Sequence, residues 1–138
     1  MPESSIDTEV ETWLRDVAAD LTEPRPHECL LCFVRRMLEE FGCRTTLRFA
    51  VRYRDLRAPR AVGLERRLGD KGGFCDCEIF MNGWSAARHL WTPEVAVERD
   101  GWTEVLEESE PPASMPDCTG VRCGSTQPCT LWEPRRRW

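Results

Sequence analysis

The sequence predicts an α+β fold: a small helical core of three to four helices, then a short extended segment and a β-hairpin, braced by a cysteine-ligated zinc site. Apolar residues recur at three-and-four spacing through the first half, which is the period of amphipathic helices. Val95-Ala-Val97 and Trp102-Thr-Glu-Val105 flank Asp100-Gly101, a favoured two-residue hairpin turn. The chain also has eight cysteines among 138 residues, several of them in close pairs. With 41% hydrophobic residues, it is long enough to bury one core and carry a tail.

The first helix is predicted over Ile6 to Leu21, with Ile6, Val10, Trp13, Leu14, Val17, Ala18 and Leu21 on one face and Ser5 or Asp7 as cap. Pro24 and Pro26 then break the pattern, because proline lacks an N–H and disfavours helix in the residue before it. A second helix fits Leu30 to Phe41, with Gly42 as its stop. A third fits Thr45 to Leu56 and a short fourth Ala61 to Leu68, closing at Gly69. Gly72-Gly73 marks a turn, and Phe74 to Met81 reads as extended.

These elements divide the chain into a zinc-binding domain over 1–106, an acidic, proline-rich linker over 107–117, and a cysteine-containing tail over 118–138. The N-terminus has neither the basic nor the apolar region of a secretory signal, so a cytoplasmic protein is expected. No run approaches the roughly 18 apolar residues of a membrane span. In a reducing compartment, clustered cysteines are metal ligands or redox groups more often than disulfides.

Cys29 and Cys32 form a Cys-x2-Cys pair ahead of the second helix, and Cys75 and Cys77 form a Cys-x-Cys pair after the Gly-Gly turn. Each pair can place two sulfurs on one ion, and a structural zinc needs four ligands in a tetrahedron. The spacing therefore predicts zinc between the two pairs, with Cys43 or His27 as possible substitutes. Cys118, Cys123 and Cys129 either join Cys43 in a second site or are incidental thiols of the tail. A Cys-x2-Cys redox pair is the alternative for 29 and 32, because a helix start lowers thiol pKa. A zinc-dependent hydrolase is the other, with Asp76 or Glu78 as base.

The run Gly72-Gly73-Phe74-Cys75-Asp76-Cys77-Glu78-Ile79-Phe80-Met81-Asn82, with Cys43-Arg-Thr-Thr-Leu-Arg48 upstream, resembles the signature of a small bacterial family catalogued as a domain of unknown function. The resemblance covers residues 27–84. It implies that Cys43 joins Cys75 and Cys77. Some members carry a histidine near the position of Thr45, which this chain lacks, leaving Cys29, Cys32 or His27 to complete the set. The resemblance implies no activity.

The net charge of -5 is unevenly spread: residues 44–71 hold nine basic and three acidic side chains, +6 locally, leaving -11 for the rest. Arg44, Arg48 and Arg52 recur every four residues along the third helix. They form a candidate face for an acidic protein or for weak nucleic-acid contact; the competing expectation is that they pair with the acidic first helix. A pI near 5.2 is far from the basic values typical of nucleic-acid domains. With no phosphate loop, nucleophile elbow or His-Glu-x2-His pattern in the chain, the sequence points to a binding or structural module.

Overall fold

The computed structural model describes residues 3–136. It is an α+β fold of helices with two small antiparallel sheets. Helix α1 spans Glu3–Leu21, α2 Leu30–Phe41, α3 Arg48–Arg57 and α4 Leu64–Asp70. A single helical turn, α5 at Asp76–Glu78, runs on into a π-helical turn at Ile79–Gly83. Strand β1 (Trp84–Ala86) pairs with β4 (Trp132–Pro134), and β2 (Val95–Arg99) pairs with β3 (Trp102–Glu107).

The core is built on α2. Its buried residues Leu30, Leu31, Phe33, Val34 and Met37 follow the helical repeat and meet Phe49, Ala50 and Tyr53 of α3 and Leu64 and Leu68 of α4. Phe33 packs edge-on to Phe49 at 6.5 Å and tilted against Tyr53 at 5.8 Å. Burying each such side chain contributes roughly 1.5–3 kcal/mol. Helix α2 ends as its sequence predicts: Gly42 takes φ 74° and its N–H donates to Leu38 O.

Three local expectations are corrected. Helix α1 begins at Glu3, so Ser5 and Asp7 lie inside it rather than at its cap. Helix α4 continues through Gly69, and its stop is Gly72, which takes φ 82° while the Gly73 N–H closes on Leu68 O at 2.8 Å. The segment after the Gly-Gly turn is extended only at Cys75, and the chain then coils through Asp76–Gly83. The coil brings Ile79 fully into the core, where a strand would have carried the segment away from it.

Helix α1 forms over its predicted length, yet its apolar side chains are exposed: Ile6 by 66%, Trp13 by 63% and Leu21 by 57%. Its C-terminal turn is held by Arg52, which donates to Thr22 O at 3.1 Å and Ala19 O at 3.3 Å. A guanidinium at the negative end of a helix is favourable both as a charge and as a donor to orphan carbonyls. The Asp100-Gly101 turn forms the hairpin as read, both residues having positive φ.

The last segment closes on the core. Cys129, Leu131 and Trp132 belong to the buried cluster, Ala87 N–H donates to Leu131 O at 2.8 Å, and Arg135 reaches Phe80 O. The acidic stretch before it is pinned to the body as well: Thr92 and Glu110 exchange backbone and side-chain hydrogen bonds at 2.8 and 2.9 Å.

Candidate metal centre

The Sγ atoms of Cys29, Cys32, Cys118 and Cys129 all lie within 4.8 Å of one another. Cys29 caps α2 and Cys32 sits in its first turn, so both thiols project from the helix start. Cys118 and Cys129 arrive from the returning tail. It is laid against this helix start by Val121 N–H donating to His27 O at 2.9 Å and by Tyr53 Oη, which donates to Glu28 O at 2.8 Å and approaches Ser125 O at 3.3 Å. Cys32 and Cys129 approach to 3.6 Å, and all four are free thiols.

Donors converge on these sulfurs. The Cys32 N–H donates to Cys29 Sγ, the Cys29 N–H to Cys118 Sγ and the Gly120 N–H to Cys118 Sγ, each at 3.3 Å. Trp132 Nε1–H donates to Cys32 Sγ at 3.3 Å. Such bonds stabilise the thiolate, the form that ligates metal. Within the group the thiols are electrostatically linked. A hydrogen bond from Cys32 holds Cys29 at about 5 against the opposing effect of burial. The same bond, with burial, drives Cys32 upward, and burial also raises Cys118. Tyr53, beside them, is pushed up to about 12 by burial and by the negative charge of Cys29 and Cys118.

The donor set fits a tetrahedral thiophilic ion. Zinc–sulfur bonds of about 2.3 Å imply sulfur–sulfur edges of about 3.8 Å; here Cys32 and Cys129 stand at 3.6 Å and every pair lies within 4.8 Å. The surroundings are rigid: the Glu28 carboxylate, next to Cys29, takes Arg36 at 2.7 and 3.0 Å and the Arg25 N–H at 3.0 Å.

The structure distributes the sequence-predicted ligands differently from their spacing. Cys29 and Cys32 meet Cys118 and Cys129, not Cys75 and Cys77. His27 is exposed, at φ 61°, is not among the four converging thiols, and accepts the Val121 N–H through its backbone carbonyl. Cys43, Cys75 and Cys77 are not among the four thiols that converge, and Cys123 is exposed. Cys118 and Cys129 are the residues that spacing alone failed to join to the 29/32 pair. The signals were present: Cys118-Thr-Gly120 is a knuckle whose glycine, at φ 91°, turns its N–H onto the sulfur, and Cys129 precedes the apolar Leu131-Trp132.

Asp76, weighed as a possible base, has a structural task. It is 1% exposed and accepts from the Phe49 N–H at 2.9 Å and the Ala50 N–H at 3.2 Å, satisfying the first turn of α3, which lacks a side-chain cap of its own. Burial raises its pKa, opposed by these two amides and by Arg48. Of the arginine stripe, Arg48 stacks on Phe49 at 4.4 Å, Arg52 holds the end of α1, and Arg44 is exposed.

No curated protein and no solved structure matches the chain. No helix among the described residues is long and apolar enough to cross a membrane. Residues 30–82, from the start of α2 to Asn82, match the family model described as Protein of unknown function (DUF2695).

Proposed function

We propose that this chain is a small zinc-braced binding or structural module whose metal is held by Cys29, Cys32, Cys118 and Cys129. The convergence of four thiols and their N–H donors supports this reading. Four cysteine sulfurs saturate a tetrahedral zinc and leave no position for water or substrate, which is the pattern of a structural rather than a hydrolytic site. They also embed the Cys29–Cys32 pair in a larger sulfur shell, which favours a metal over a dithiol redox pair. The ion would join the start of α2 to the returning tail, two parts of the chain about 90 residues apart.

The partner is proposed to be acidic. Arg52 is hydrogen-bonded to the end of α1 and Arg48 is stacked on Phe49, so the contact would centre on exposed Arg44, in a segment whose net charge is +6. Binding of this kind weakens as salt rises.

Elemental analysis and native mass spectrometry of the full chain, purified under reducing conditions, test the metal. Zinc should be present and should be lost from Cys118→Ser and Cys129→Ser. A metal-free protein with four alkylatable thiols at these positions, and melting unaffected by chelator, would overturn the reading.

A further inference from the structure

Helix α1 carries apolar residues that the chain itself leaves uncovered. Ile6, Val10, Trp13, Leu14 and Leu21 are all exposed, and Val17 between them is half-buried. Contiguous exposed apolar surface marks an interaction site, as single scattered residues do not. Helical spacing sets Glu9, Asp16 and Asp20 along one edge of this stripe and Asp7 along the other. Among the described residues, none of these four carboxylates forms an ion pair. The helix as a whole has six acidic side chains and one arginine. Arg52 ties α1 to the body through the carbonyls of Ala19 and Thr22, at its C-terminal end, and leaves the stripe open.

A matching surface lies on and beside α4, in the basic segment. Arg60 and Arg66 are exposed there and, among the described residues, form no ion pair. Val62, between them in the chain, is 85% exposed. Phe74 is 68% exposed and its ring lies over α4: a Cβ on Gly69 would stand 3.0 Å from Phe74 Cε1. Arg66 precedes Gly69 by three residues and so shares that face of the helix. Apolar groups with arginines beside them complement an apolar stripe edged by carboxylates, since burial supplies the contact and charge sets its register. Charge also weighs against other occupants. Two α1 helices side by side would set like charges together, and an anionic lipid surface repels a helix of this sign.

We propose that α1 docks on the basic face of α4 in a second copy of this chain, each copy giving its helix and receiving its partner's. The inference rests on the reading above that the basic segment accepts an acidic partner, and it supplies that partner. Helix α1 has 19 residues and is about 28 Å long. One helix contact of that length is small for a stable dimer, whose interface buries about 1,200–2,000 Å² in all. A two-fold arrangement doubles it, because the same pair of surfaces is used twice. Trp13, large and central in the stripe, is the anchor, and Val62 and Phe74 are the apolar groups it meets. The carboxylates at the edge of the stripe pair with Arg60 and Arg66, a contact that salt weakens. Neither surface includes a thiol of the four-cysteine cluster, so zinc content is independent of association.

Sedimentation velocity of the full-length reduced protein, over a concentration series, should show a monomer–dimer equilibrium that weakens as salt rises. Trp13→Ala should weaken it by about tenfold or more, with circular dichroism and zinc content unchanged. A charge exchange tests the pairing. Arg60→Glu with Arg66→Glu in one chain, and Asp16→Arg with Asp20→Arg in another, should each give monomers. Mixing the two should restore a dimer, since both contacts then join opposite charges. A monomer at every concentration, a mixture that stays monomeric, or binding to phosphatidylserine vesicles in place of self-association would overturn the proposal. So would wild-type dimerisation of the chain altered at Arg60 and Arg66, which is the behaviour of a dimer joined through α1 alone. Binding of a polyglutamate peptide at low salt, lost in Arg44→Gln, separates the two readings. If a monomeric protein still binds it, only the second copy is overturned; if not, the acidic partner fails as well.

Discussion

Trp132 shows how a single side chain connects the apolar core to the thiols. Its ring is buried and packs on Phe80 with centroids 5.0 Å apart, while its Nε1–H points to Cys32 Sγ. Trp132→Phe keeps most of the packing and removes the donor. Losing such an outer-shell partner typically costs 10–100-fold in metal affinity, so competition with a chelator should show a loss of about tenfold, with helix content unchanged. At Asp76 the opposite balance holds, because the residue matters through structure. Asp76→Ala leaves two buried amides without acceptors, each costing about 1–3 kcal/mol; denaturant unfolding should show a loss of at least about 2 kcal/mol. The sign of its pH effect follows from burial. The folded pKa lies above the ordinary 3.8, so the contribution of this carboxyl is greatest below 3.8 and is lost as pH rises through the folded value. Asp76→Asn should abolish that component when stability is measured across the acid range.

At the scale of elements, α1 and α2 both carry apolar residues at helical spacing, more strongly in α2, and meet different fates. Helix α2 is amphipathic, and its apolar face meets α3 and α4. Helix α1 has a weaker apolar stripe, and Ile6, Trp13 and Leu21 on it remain exposed. Packing gives α1 little support, and most helix stability in proteins comes from packing. Its attachment through Arg52 therefore matters more than one surface arginine usually would. Arg52→Ala should fray α1, lowering the helix signal in circular dichroism and speeding amide exchange near Ala18 and Ala19, while metal content stays the same. Unchanged exchange there would show that α1 is held by contacts other than this guanidinium.

In the whole molecule, the tail decides the architecture. Residues 118–134 bring two thiols to the four-cysteine cluster, Leu131 and Trp132 to the core and a partner strand to β1. Cutting after Glu108 should therefore abolish zinc binding at the cluster and expose Leu30, Leu31 and Trp84, around which the tail residues pack. Thermal unfolding of the truncated chain should lose cooperativity, and the missing metal contribution can reach on the order of 10 kcal/mol. A truncated chain that melts sharply at the full-length temperature would show that the helical unit stands without the tail. Acid should mimic the cut partway: thiolates must take up protons to release metal, so zinc should dissociate as pH falls.

The sequence by itself determined the fold class, α2 and its glycine stop, the Asp-Gly hairpin and the presence of a thiol site, because periodicity, turn chemistry and cysteine pairing are local signals. It also marked the run from Gly72 to Asn82 as distinctive. Only the tertiary structure decided which thiols meet. Cys29 and Cys118 are 89 residues apart, and their meeting depends on a chain reversal held by bonds such as Val121 N–H to His27 O, which no spacing rule encodes. The same holds for Asp76, which reads as a free carboxylate between cysteines until α3 is placed over it, and for Arg52, which reads as a surface charge until the end of α1 is brought beside it. Side-chain pattern dictates what an element is, but burial and partner choice depend on groups distant in sequence, and those determined which four thiols came together.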